Sequence, residues 1–138
     1  MNLEETSIMI NNYEQEKASC LFFDTYAFYE IIKENVNYKK YLNKEIITSK
    51  LNLFELYFIF LKENSADLAS SSLEIYYPFV KDFDREVIAS AAKLKKMLNI
   101  RDVSMTDCIG YCFAKQLGIK FLTGDLVFKE MENVEFVQ

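Results

Sequence analysis

Short apolar runs that end in a turn or capping residue and hand over to segments of helical period recur along this chain. That alternation constrains its fold more than any other feature. CLFF at 20–23 is followed, after Asp24, by Ala27, Phe28, Ile31 and Ile32 at helical spacing. IITS at 46–49 has the β-branched character of a buried strand, and its Thr and Ser suit the start of the helix that contains LNLFELYFIFL, residues 51–61. Helical patterns follow at 65–77, where Pro78 blocks continuation, at about 84–98, and within 99–119, where Ile109, Cys112, Phe113 and Leu117 keep the spacing and Gly118 is a natural C-cap. IKFLTGD at 119–125 reads as a strand, a short helix is expected near 126–131, and VEFVQ at 134–138 closes the chain as a strand. FVKDF at 79–83 is expected to add a further short strand. Strand and helix in this alternation predict an α/β domain, a three-layer α/β/α sandwich with a largely parallel central sheet.

At 138 residues and 51% hydrophobic content, one domain with a sizeable core is expected over residues 20–138. Residues 1–19 are polar except for Ile8, Met9 and Ile10, and read as an N-terminal extension whose conformation is left open: an arm, an edge strand or a frayed terminus. Eleven residues of the 51–61 run are too few to span a membrane, which takes about 20. A helix apolar around its circumference is instead buried on more than one side, by its own domain or by a second copy, so a homodimer is expected. Nothing before Cys20 has the pattern of a secretory signal, and three cysteines are an odd count, so a reduced, cytoplasmic setting is expected. Cys108 and Cys112 share a helix face, but buried small hydrophobes explain them better than metal ligands do.

The chain has no His, which removes the commonest general base and the Ser/His and Cys/His nucleophile pairs. Hydrolytic chemistry must then lean on carboxylates or a metal. The formal charge of −5 argues against a broad basic footprint for nucleic acid. Four of the acids, however, are expected where strands hand over to helices. Asp24 follows the first strand and is a candidate N-cap. Glu55 stands three residues after Asn52, and Asp107 three after Ser104, both at capping-box spacing; Asp125 follows Gly124 at a turn. Taken jointly, they fall on the edge of the sheet where α/β folds bind ligands, the carboxyl ends of the strands. Glu55 within a run of Leu, Phe, Tyr and Ile needs a partner if buried, and no Lys or Arg occurs between Lys50 and Lys62. A divalent cation is the economical partner. Oxygen ligands without His or Cys suit Mg²⁺ or Mn²⁺, which points to phosphoryl-transfer chemistry.

FFDTYAF, ITSKLNLFELY, VSMTDCIGYCFA and GIKFLTGDLVF, in this order and spacing, resemble the PIN-domain ribonucleases and, in size and layout, the VapC-type toxins of toxin–antitoxin pairs. The resemblance covers roughly residues 20–138. It implies a parallel α/β/α sandwich, often a homodimer, in which Asp24, Glu55, Asp107 and Asp125 coordinate Mg²⁺ or Mn²⁺ and activate water for RNA cleavage. Thr25, Ser104 and Thr123 would orient those carboxylates or their waters. An antitoxin protein is the partner so implied. The sequence departs from the pattern after the fourth acid, where Leu126, Val127 and Phe128 stand instead of the further Asp of many relatives.

The expected activity is therefore Mg²⁺- or Mn²⁺-dependent hydrolysis of RNA phosphodiesters. The alternative is a catalytically silent PIN-like module that binds RNA or a protein partner. A phosphatase of the haloacid-dehalogenase type is disfavoured because its Asp-x-Asp pair would need a second Asp at 26, where Tyr stands. Lys39, Lys40, Lys44 and Lys50 are candidate phosphate contacts, or simply a solvated surface, and Tyr26, Tyr76 and Tyr77 are candidate base-stacking rings, with core packing the commoner role.

Overall fold

The computed structural model describes residues 1–99 and 102–138, with the side chains of 16–18 outside that description. The connection expected at the head of 99–119 therefore lies partly outside the described residues. Four strands, β1 (Cys20–Phe23), β2 (Glu45–Ile47), β3 (Lys120–Thr123) and β4 (Val134–Phe136), form one sheet in the order β2-β1-β3-β4 with every pairing parallel. Leu21 pairs with Ile46 on one side and Lys120 on the other, which sets β1 at the centre. Side chains alternate across a strand, and both faces are covered. Cys20, Phe22 and Phe121 join one apolar cluster, while Leu21, Phe23 and Leu122 join the other. The first cluster is built with α5 (Arg85–Met97) and α6 (Met105–Leu117), the second with α2 (Thr25–Ile32), α3 (Lys50–Lys62) and α4 (Ala66–Tyr76). This is the three-layer sandwich that the alternation predicts.

Local signals account for most boundaries. Ser49 caps α3 by accepting from the Asn52 N–H, Asp84 caps α5 through the Glu86 and Val87 N–H groups, and Gly118 ends α6 in the left-handed region at φ 71°. Gly110 lets α6 approach the sheet, since a Cβ there would stand 2.9 Å from the rings of Phe22 and Phe121.

Several expectations are corrected. The second strand is Glu45–Ile47 rather than 46–49, because Thr48 leaves β1 to pair with Val80 and Ser49 turns the chain into α3. FVKDF forms no strand: only Val80 bridges the sheet, through its parallel contact with Thr48. The segment between α2 and β2 holds a 3-10 helix, Val36–Tyr41, that buries Tyr38 and Tyr41. The helix expected near 126–131 is one 3-10 turn, Leu126–Phe128. Residues 3–19, left open from sequence, form a helix, α1 (Leu3–Ser19), with Leu3, Ile8, Met9 and Ile10 exposed. The 51–61 helix is not enclosed by its own domain. Leu53, Leu56 and Phe60 are buried, whereas Phe54 is 72% and Phe58 52% exposed.

Candidate active site

Asp24 leaves the C-terminal end of β1, and its carboxylate accepts the Ala27 N–H at 2.7 Å, capping α2. Asp125 follows β3 by two residues and accepts the Val127 N–H at 2.9 Å. Asp107 lies in the first turn of α6; its N–H donates to Ser104 Oγ at 3.0 Å, and its carboxylate accepts in return from Ser104, a closed capping box. Each bland explanation thus holds locally. All three aspartates nevertheless line one cleft of about 400 Å³ at the carboxyl edge of the sheet, together with Tyr26, Glu30 and Tyr38. Capping and clustering are compatible because the parallel sheet places the starts of α2 and α6 beside the end of β3.

The acids of the cleft differ in exposure: Asp24 is buried, while Asp107 and Asp125 are half-buried. Asp24 is 3% exposed, and burial pushes its carboxyl up to about 7, against the lowering effect of hydrogen bonds from Thr123 and the Ala27 N–H; the charges of Asp107 and Asp125 push the same way as burial. Burial likewise raises Asp107 to about 6, with Glu55 and Asp125 adding to it and the Ser104 hydrogen bonds opposing it. Gly124 permits the close approach of the C-terminal segment, since a Cβ there would stand 2.6 Å from the Val137 carbonyl oxygen.

Glu55 sits on α3 to the side of this cleft, half-buried, and does not line it. The capping box proposed with Asn52 does not form, because α3 begins three residues earlier than that box requires, at Ser49. Its carboxylate instead accepts the Thr25 hydroxyl at 3.0 Å, and its charge reaches Asp107. Thr123 contacts two acids: it donates to Asp24 and accepts the Asp125 N–H at 3.1 Å. Thr25, Ser104 and Thr123 each therefore touch a cleft acid or Glu55.

Among the described residues, no Lys or Arg lines the cleft, and the two ion pairs present, Lys50–Asp82 and Lys115–Glu132, lie elsewhere. Lys40 is spent over the Tyr41 ring. Tyr26, 58% exposed, stands at the cleft; Tyr76 packs on Phe28, and Tyr77 lines an apolar groove between α3 and α4. Cys108 is buried and Cys112 half-buried, with burial pushing both thiols up. As the side chains stand, no group of three or more His, Cys, Asp or Glu among the described residues is placed to hold a metal ion. The acids of the cleft nonetheless offer only oxygen, share one sign, and among the described residues have no Lys or Arg lining the cleft beside them, which is the chemistry a hard divalent cation fits.

Sequence reasoning missed that Ser49 and Asn52 are buried and linked to Thr25 by hydrogen bonds. Asn52 is fully buried and its amide reaches Thr25. A polar residue at a buried helix position was the available signal, and reading it as a cap concealed it.

The PIN domain family model matches residues 21–134. No curated protein sequence matches the chain. Among solved structures, the chain is similar to the sarcin-ricin loop cleaving toxin VapC20 of Mycobacterium tuberculosis (TM-score 0.72, 17% identity, 86% of this chain and 99% of that one). It is also similar to VapBC2 of Rickettsia felis bound to a promoter DNA fragment (0.65, 21%, 86% and 99%) and to a toxin–antitoxin complex of Klebsiella pneumoniae (0.66, 13%, 83% and 95%). With the family model spanning most of the chain and the parallel sandwich matching these folds, the chain belongs to the PIN domain family.

Proposed function

We propose that this chain is a Mg²⁺- or Mn²⁺-dependent ribonuclease that cleaves RNA phosphodiesters and acts as the toxin of a toxin–antitoxin pair. The observation that carries this reading is the cleft itself: three aspartates from three separate chain segments, two with carboxyls raised well above the ordinary range, and, among the described residues, no Lys or Arg lining it. Asp24, Asp107 and Asp125 would hold the ion, with Glu55 approaching from α3. When bound, the ion supplies charge neutralisation at the phosphodiester and acidifies water, so no imidazole is required.

The residues of the chain do the rest. Hydrogen bonds from Thr123 and from the Ala27 N–H fix the Asp24 carboxylate, and the α6 capping box fixes Asp107. Helix N-termini at Asp24 and Asp107 favour their ionised forms once a cation is present. Tyr26 offers an exposed ring beside the acids on which a base can stack.

The partners follow the same reading. One of the similar structures is a toxin–antitoxin complex and another is VapBC2 bound to a fragment of promoter DNA, which supports an antitoxin for this chain. The uncovered face of α3, with Phe54, Phe58 and Leu61 exposed, supports a homodimer. Three free thiols suit a reduced cytoplasm, and no helix among the described residues is long and apolar enough to cross a membrane.

The test is cleavage of RNA by purified protein in Mg²⁺ or Mn²⁺ and in chelator, with Asp24→Asn as the control for contaminating nuclease. Metal-dependent cleavage lost in Asp24→Asn supports the reading. Binding of RNA or of a protein partner without cleavage would replace it by the silent-module alternative.

A further inference from the structure

Between α2 and α3 runs a chain of polar side chains enclosed in the fold. Ser49 and Asn52 are fully buried and Thr25 is 3% exposed. Ser49 Oγ donates to Asn52 Oδ1 at 2.7 Å, Asn52 Nδ2 donates to Thr25 Oγ1 at 3.3 Å, and Thr25 Oγ1 donates to Glu55 Oε1 at 3.0 Å. The Asn52 backbone N–H donates back to Ser49 Oγ at 3.4 Å.

The direction of these bonds is forced. Ser49 Oγ accepts the backbone N–H and donates its single proton to the amide oxygen of Asn52, an orientation that the Thr25–Glu55 end of the chain requires. That orients the amide with its NH₂, a donor only, toward Thr25. The Thr25 hydroxyl thus receives a hydrogen bond and has one proton to give, and Glu55 is the acceptor in reach. With the amide reversed, Thr25 would donate to Asn52, and its oxygen would face a carboxylate oxygen with no proton between them. Burial makes such an unmatched pair costly.

We infer that Ser49, Asn52 and Thr25 form a one-way hydrogen-bond relay that fixes the Glu55 carboxylate at the start of α2, beside Asp24, with Asn52 a positioning residue that acts through Thr25. This rests on the reading of Glu55 as a ligand of the divalent ion. Among the described residues no Lys or Arg pairs with Glu55, and its carboxylate accepts the Thr25 hydroxyl. Without the relay the hydroxyl proton of Thr25 would be free to turn away, and Glu55 would lose its fixed orientation. Outer partners of metal ligands typically account for about 10–100-fold in metal affinity.

The test is Mn²⁺ binding to the full chain by titration calorimetry, with cleavage measured alongside. Thr25→Val, which keeps the shape and removes the donor, is expected to weaken Mn²⁺ about tenfold or more, and Thr25→Ser to restore it. Asn52→Ala is expected to weaken binding in the wild-type background but to add little in the Thr25→Val background, because its effect passes through that hydroxyl. Should Asn52→Ala fail to fold, the Thr25→Val and Thr25→Ser pair decides alone. Wild-type affinity in Thr25→Val, or equal effects of Asn52→Ala in both backgrounds, overturns the relay while leaving the metal site standing. A wild type that binds no Mn²⁺ overturns both.

Discussion

Replacing Asp24 by Asn separates a cap from a metal ligand, and the structure sets both the sign and the size of the effect. The Asp24 carboxyl titrates near 7 in the folded chain, against an ordinary 3.8. The folded state therefore holds a proton that the unfolded state has already released over the interval from about pH 4 to 7. In that window the folded state binds more protons, so stability falls as pH rises. At about 1.4 kcal/mol for each pH unit, the penalty from this one group reaches on the order of 4 kcal/mol above pH 7 and vanishes below about pH 4. Asn removes the charge, keeps an oxygen for the Ala27 N–H, and introduces an NH₂ group that needs an acceptor, which costs about 1–3 kcal/mol. In chelator, Asp24→Asn should therefore be less stable than wild type near pH 4 and more stable near pH 8, by about 1–3 kcal/mol, with the two curves crossing between. Added Mn²⁺ should reverse the order at the higher pH, since wild type gains about 4.1 kcal/mol at a thousandfold excess over Kd and the variant gains little. Urea melts at both pH values, in chelator and in Mn²⁺, read all of this. If the variant loses the same stability at both pH values, and wild type gains nothing from Mn²⁺, Asp24 is a cap and the cleft is not a metal site.

Other outcomes follow from the same geometry. Mn²⁺ affinity should rise as pH increases from about 5.5 to 8 and then level, because Asp24 and Asp107 must release protons to bind; calorimetry in buffers of different ionisation enthalpy should detect proton release near pH 6 and little near pH 8.5. Wild type should sediment as a dimer at micromolar concentration, and Phe58→Glu, on the exposed face of α3, should shift it to monomer; a monomeric wild type contradicts the dimer. Gly124→Ala should destabilise the chain by about 1–3 kcal/mol, because its Cβ meets the Val137 carbonyl at 2.6 Å and must displace the C-terminal segment beside Tyr38. A thermal melt unchanged from wild type would show that this segment yields freely.

Neighbours along the chain decide the local features of this fold. Asp24, Ser49, Asp84 and Ser104 cap helices because each side chain reaches an N–H two or three residues on, and Gly118 ends α6 because a left-handed residue is needed there. The two-residue alternation of CLFF already assigns Phe22 and Phe23 to opposite faces of a sheet. The gathering of Asp24, Asp107 and Asp125 at one edge follows from parallel pairing, which alternating strands and helices favour, whereas the strand order β2-β1-β3-β4 came only with the tertiary structure. What remained was settled by contacts between distant segments. Apolar residues surround α3, but only the packing of α2 and α4 decides that Leu56 is buried and Phe54 is not. Val80 belongs to the sheet for one residue because β2 has already turned away into α3. Asn52 is equally plausible as a cap or as a buried link until Thr25, 27 residues earlier, is brought against it. A carboxylate in an apolar run is half-buried, rather than enclosed, because its surroundings are set by the fold in three dimensions. Hydrogen-bond direction and burial are properties of that assembled surface, and no window along the chain contains them.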